Sequence, residues 1–148
     1  MPRLGAPRYP RNWTAFADEF WAFDYDTFSA TRTGSQNHSI FWVLNRATPG
    51  AYMQKYVFLG AGDYYLYILG VMAANAGMVS WTLDGVVIAS DQDWYAVATA
   101  YNIIYPVLFT MPCSGWSLLK VQVTGQNAMS SGYRLNMTKV YMIVPDEG

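Results

Sequence analysis

An all-β fold, a jelly-roll-like antiparallel β-sandwich behind an extended N-terminal arm, is the class the sequence predicts, and three observations carry it. Short apolar segments that alternate with a period of two recur along the chain, roughly eight of them, with Gly, Pro, Asn and Asp clusters in between. No segment sustains a helical period over the length a helix needs. Asp84-Gly85 stands directly between two β-rich runs, which is the strongest short-range hairpin signal a sequence carries.

Composition narrows the function classes. The 148 residues match one domain. A formal net charge of −1 with 13% charged residues argues against nucleic-acid binding, which needs a clustered basic surface. No apolar run reaches the roughly 20 residues of a membrane helix, and no signal-like apolar region follows the N-terminus, so a soluble protein without an export signal is expected. Hydrophobic residues make up 53% and aromatics 17% of the chain, with 12 Tyr and 6 Trp. So many aromatics in so few charges imply burial against partners or a binding platform.

In chain order, residues 1–28 form the arm or strap and residues 29–148 the sandwich. Arg3, Arg8 and Arg11 alternate with Pro2, Pro7 and Pro10, which keeps the first residues extended. Residues 13–28 carry Trp13, Phe16, Phe20, Trp21, Phe23, Tyr25 and Phe28 among four acids. Phe16, Phe20 and Phe23 have helical spacing while Trp21, Phe23 and Tyr25 have strand spacing, so periodicity does not settle the segment; a short turn followed by a strand is expected, either the first strand of the domain or a strap docking on a neighbour. Residues 29–37 read as a polar loop and 38–45 as a strand apolar on both faces. A strand follows at 56–59, and Gly60-Ala61-Gly62-Asp63 turns it.

Within residues 63–70, Tyr64, Leu66 and Ile68 share one face and Tyr65, Tyr67 and Leu69 the other, which leaves an aromatic ladder outside if the first set is core. Val79, Trp81 and Leu83 point inward before the Asp84-Gly85 turn. Residues 90–93 read as a loop whose Asp91 and Asp93 are solvated acids rather than a calcium site, because the remaining ligands of such a loop are missing. Residues 101–109 form a strand whose middle Pro106 assigns to a sheet edge or a bulge. Leu119, Val121 and Val123 share a face opposite Trp116, Leu118, Lys120 and Gln122. Finally, Gly125 to Gly132 makes a loop feeding a long strand with Tyr133, Leu135 and Met137 dry and Arg134, Asn136 and Thr138 wet. The apolar parity slips near Thr138-Lys139, where a bulge is expected.

Catalytic chemistry finds little purchase. His38 is the sole imidazole and Cys113 the sole thiol, which leaves no triad, no zinc ligand set and no internal disulfide; Cys113 reads as a small buried hydrophobe. Carboxylate pairs for glycoside hydrolysis would have to come from Asp18, Glu19, Asp24, Asp26, Asp91 or Asp93. The expectation is a protein without enzyme activity and without cofactor.

The segments Gly62-Asp63-Tyr64-Tyr65-Leu66, Asn75-Ala76-Gly77, Trp81-Thr82-Leu83-Asp84-Gly85, Gly125-Gln126-Asn127 and Ser130-Ser131-Gly132-Tyr133 resemble a small jelly-roll module of tailed-bacteriophage virion proteins, over residues 60–144. That resemblance implies a structural virion protein, a capsid decoration or cement protein forming a homotrimer on the particle surface, with the major capsid protein or another virion protein as partner and no catalytic residues. The interface residues expected on this reading are Trp13, Phe16, Phe20, Trp21, Phe23, Tyr65, Tyr67 and Trp116, with Asp84 and Gly85 as a structural turn. The alternative is a glycan- or receptor-binding module of a phage fibre or tail tip, in which Tyr65, Tyr67 and Trp116 stack on the sugar rings of a host surface glycan.

Overall fold

A computed structural model describes residues 13–16, 19–25, 27–32 and 40–143. The chain is a jelly-roll β-sandwich of antiparallel strands: β1 (Trp13–Phe16), β2 (Trp21–Phe23), β3 (Thr27–Arg32), β4 (Ile40–Asn45), β5 (Tyr52–Leu59), β6 (Gly62–Met72), β7 (Met78–Leu83), β8 (Val86–Asp93), β9 (Ala100–Met111), β10 (Gly115–Gly125) and β11 (Leu135–Ile143). One sheet runs β3-β4-β11-β6-β9, with β1 paired to β11 as well; the other runs β2-β5-β10-β7-β8. Consecutive strands cross repeatedly from one sheet to the other, so both layers are woven from the whole chain and neither can form alone.

The core follows from alternation. Tyr64, Leu66 and Ile68 of β6 face Val79, Trp81 and Leu83 of β7 and Leu119, Val121 and Val123 of β10 across the sandwich, and all nine are buried. Each such side chain contributes roughly 1.5–3 kcal/mol on leaving water. Tyr64 is tolerated there because its hydroxyl donates to the Gly60 carbonyl oxygen at 2.9 Å and its ring stacks on Phe109, centroids 5.6 Å apart. Pro106 lies on β9, the edge strand of its sheet, where a missing N–H breaks no ladder.

The register of β11 shifts between Met137 and Lys139 against β6, so Leu135 and Met137 before the bulge and Val140 and Met142 after it all reach the core. Bulging restores the parity that a straight strand would lose.

Four expectations are corrected by the packing. Residues 27–32, part of which reads as polar loop, form β3, paired from Thr27↔Asn45 to Arg32↔Ile40; an edge strand needs no apolar alternation to be held by its ladder. Residues 90–93 continue β8 rather than forming a loop, with Gln92 buried. Asn136 and Thr138 are buried, not wet, because β11 is flanked by β6 on one side and by β4 and then β1 on the other. Cys113 is exposed rather than buried, in the turn between β9 and β10.

The segment 13–28, read as arm or strap, contributes strands to both sheets: β1 pairs with β11 from Trp13↔Met142 to Phe16↔Lys139, and β2 pairs with β5 from Trp21↔Gln54 to Phe23↔Tyr52. Residues 1–12, with the arginines and prolines of the arm, and His38 lie outside the described residues.

Candidate binding face

Residues of β2, β5 and β10 that do not enter the core form the outer face of the second sheet. On β5, Met53, Val57 and Leu59 are buried, which turns Tyr52, Gln54, Tyr56 and Phe58 outward. Their cross-strand partners point the same way: Trp116 beside Phe58, Leu118 beside Tyr56, Lys120 beside Gln54 and Gln122 beside Tyr52 on β10, and Trp21 beside Gln54 and Phe23 beside Tyr52 on β2. Three of these side chains project into solvent, with Trp21 70%, Tyr56 60% and Trp116 69% exposed.

The register places those three on a diagonal. Trp21 stands level with Gln54, and Trp116 stands level with Phe58, two residues either side of Tyr56 and on opposite neighbours of β5. Diagonal neighbours on one sheet face lie about 7–8 Å apart, so the row spans about 15 Å over its two steps.

The row is braced from beneath and beside. Trp116 meets Phe58 edge to face at 5.3 Å between centroids. Phe23 stacks on Tyr52 at 5.1 Å, and the Lys120 ammonium lies 4.2 Å from the centroid of the Tyr52 ring, a cation-π contact. Between Trp21 and Tyr56 the surface dips into a notch of about 180 Å³, lined by Glu19, Trp21, Gln54, Lys55, Tyr56 and Leu118. Lys55 Nζ and Glu19 Oε1 are 3.9 Å apart at its rim. Towards β7 the face becomes polar and internally bonded: Gln122 Nε2 donates to the Gly50 carbonyl oxygen at 3.1 Å, and Ser80 Oγ lies 3.3 Å from Thr124 Oγ1.

The opposite sheet carries a different aromatic group. Tyr67 stacks on Tyr141 at 5.2 Å and 16°, and Tyr65 lies 5.9 Å from Tyr67. Ring faces turned on each other are not available to a flat ligand, and all three residues are half-buried. Tyr65 and Tyr67 thus lie on one side of the sandwich and Trp116 on the other, so these three do not make one stacking site. Parity within one strand groups residues on a face, but only the assignment of strands to sheets says which faces coincide.

The remaining residues singled out in the sequence disperse. Phe20 is 5% exposed and belongs to the core, leaving no surface for a partner. Trp13 and Phe16 lie on β1, and their side chains fall outside the described residues. Asp84 and Gly85 close the β7–β8 hairpin with φ of 50° and 80°, both positive as a type I′ turn requires, and Asp84 Oδ1 accepts from the Leu118 N–H at 2.9 Å. Asp93 is not a solvated acid: it accepts from the Tyr95 N–H at 2.9 Å and from Asn127 Nδ2 at 2.7 Å, pinning the loop before β11 to the end of β8. Among the described residues no group of three or more His, Cys, Asp or Glu is placed to hold a metal ion. Tyr56 and Gln54, central to the platform, were missed because only β5–β10 and β2–β5 pairing brings them beside Trp116 and Trp21. The signal that was present is the alternation Tyr52, Gln54, Tyr56, Phe58 itself.

A second hollow, about 490 Å³, opens between the β7–β8 hairpin and the β9–β10 turn, walled by Leu83, Val86, Ile88, Met111, Cys113 and Trp116 among others.

No protein-family model and no curated protein matches the sequence. Solved structures do match. A xanthan lyase from Paenibacillus superposes with a TM-score of 0.70 at 18% identity over 88% of this chain, which spans 13% of the lyase. A family 35 carbohydrate-binding module from Clostridium thermocellum gives a TM-score of 0.61 at 10% identity, covering 90% of this chain and 98% of the module. The C-terminal CBM6 of LamC, a marine laminarinase from Zobellia galactanivorans, gives 0.59 at 10% identity over 89% and 98% of the two chains. None of these is a virion protein, and this overturns the reading of the chain as a trimeric capsid decoration protein: the resemblance to phage modules rested on glycine turns and the Leu-Asp-Gly hairpin, which many sandwiches share. At these identities the likeness is one of fold: a jelly-roll β-sandwich.

Proposed function

We propose that the chain is a non-catalytic carbohydrate-binding module that holds a polysaccharide on the outer face of the β2-β5-β10-β7-β8 sheet. The observation that carries this reading is the diagonal row Trp21, Tyr56, Trp116: three exposed aromatic side chains spaced along an open face that no other part of the described chain covers. Aromatic rings provide large, rigid, apolar area for the C–H faces of sugar rings, and their own polar edges tolerate water. Gln54, Lys120 and Gln122 lie beside the row as donors for hydroxyls. The solved modules of like fold, from families 35 and 6, are carbohydrate-binding by name, which favours the same class of ligand here.

Binding without hydrolysis fits the residues on this face. Glycoside cleavage needs a pair of carboxyl groups flanking the bond, whereas Glu19 is the one carboxylate among the described residues that line the notch, and it faces Lys55. Affinity electrophoresis through gels containing soluble polysaccharides tests the reading. Retardation by at least one polymer is expected, lost in Trp21→Ala and Trp116→Ala and kept in Tyr67→Ala. Retardation that survives both tryptophan substitutions places the site elsewhere, and none across a broad panel of plant, fungal and bacterial polysaccharides ends the proposal.

A further inference from the structure

The aromatic row is uneven. Between Tyr56 and Trp116 the cross-strand partners Phe58 and Leu118 fill the surface, but between Trp21 and Tyr56 the notch of about 180 Å³ interrupts it. At roughly 30 Å³ per liquid water, that is room for about six waters, the scale of one sugar ring rather than of a chain. An unbranched polymer lying along the row would bridge the notch and leave it wet.

We propose that the notch is a subsite for a single-sugar branch, so that the face selects a decorated polysaccharide: backbone rings lie on the row and one neutral side-chain sugar drops between Trp21 and Tyr56. This inference rests on the glycan-binding reading above. The walls suit such an occupant. Trp21, Tyr56 and Leu118 present apolar surface to the C–H faces of the branch, and Gln54 on the floor offers both a carbonyl oxygen and an amide N–H₂. At the rim the Lys55 ammonium and the Glu19 carboxylate sit 3.9 Å apart, their side chains 27% and 43% exposed. A donor and an acceptor side by side match a pair of neighbouring hydroxyls. Because both signs are present in equal number among the described residues of the rim, it favours no net charge: a uronate branch would meet Glu19 as it met Lys55. The position matters as much as the lining. A hollow elsewhere on the molecule would be indifferent to the polymer, whereas this one lies between two of the three rings on which the backbone would stack.

The test uses the whole chain and three branched polymers: a galactomannan, an arabinoxylan and a β-1,3-glucan bearing single-glucose branches, each paired with the same polymer after enzymatic removal of its branches. Dissociation constants by isothermal titration are expected to be about tenfold lower for at least one branched polymer than for its debranched form, a difference of the size expected for one well-seated ring. Gln54→Phe, which fills the floor, should bring the two constants of each branched and debranched pair together, whatever it does to affinity for the debranched polymer itself; Leu118→Phe, from the other wall, should do the same. Equal affinity for every branched and debranched pair overturns the subsite but leaves the platform standing, as does a preference that persists in both filled variants. Failure of all six polymers to bind overturns the subsite, and the broad polysaccharide panel decides the platform.

Discussion

Trp94 donates its indole N–H to Gln92 Oε1 at 3.1 Å, two residues back along the chain, and Trp81 donates to the same oxygen at the same distance. All three side chains are buried. One amide oxygen therefore satisfies two indoles inside the sandwich, where an unpaired donor is costly. Gln92→Leu keeps the volume and orphans both N–H groups, at about 1–3 kcal/mol for each. Chemical denaturation of this variant should show a loss of roughly 2–6 kcal/mol with the slope on denaturant unchanged; a loss below the lower bound would mean that the indoles find other acceptors.

Gly70 is where the polar group meets the other sheet. A Cβ at this position would stand 2.7 Å from the Asn136 carbonyl oxygen and 3.1 Å from the Trp94 ring. The first contact is with backbone of a central strand and cannot swing aside. Gly70→Ala should therefore cost about 1–3 kcal/mol by overpacking, and its thermal midpoint is the direct readout.

Gly85 presents the opposite case. Nothing lies within 4 Å of the place its Cβ would occupy, yet its φ is +80°. Gly85→Val should lose about 1–3 kcal/mol from backbone strain alone, whereas Gly85→Asn, which visits positive φ more readily, should lose less than half of that. Equal losses in the two variants would point to a packing cause instead.

On the platform, Trp21→Ala and Trp116→Ala are each expected to weaken binding of the retained polysaccharide about tenfold or more, as for an aromatic hot spot, with no change in thermal stability because both rings are about 70% exposed. Tyr67→Ala, on the far sheet, should leave affinity as it was. Titration calorimetry alongside thermal melts separates a lost contact from a lost fold.

Cys113 is exposed in the β9–β10 turn. One thiol per folded chain should react with Ellman's reagent without denaturant, and air oxidation should yield a covalent dimer absent from Cys113→Ser. A thiol that titrates only after unfolding would contradict its exposure.

Much of the architecture was legible in local pattern. The alternations in β6, β7 and β10 separate core from surface because two-layer burial leaves each of these strands one dry face. The parity slip near Thr138 was readable for the same reason: a strand cannot change its buried face without an extra residue. Legibility failed where a strand is held by its neighbours rather than by its own alternation, as in β3 and the end of β8, and where polar side chains sit on a strand flanked on both sides, as at Asn136 and Thr138 of β11.

The amino-acid sequence by itself determined an all-β sandwich, the inward sets of its long strands and the richness of its outward faces in aromatic residues, since each of these depends on a two-residue period or on composition. Only the tertiary structure decided which aromatics stand together. Tyr65 and Tyr67, adjacent on one strand face, turn out to pack beside Tyr141, while Trp21, Tyr56 and Trp116, nearly a hundred residues apart at the extremes, align on one sheet. Strand pairing is a long-range choice made by the burial of every core face at once, and no local window of the chain contains it.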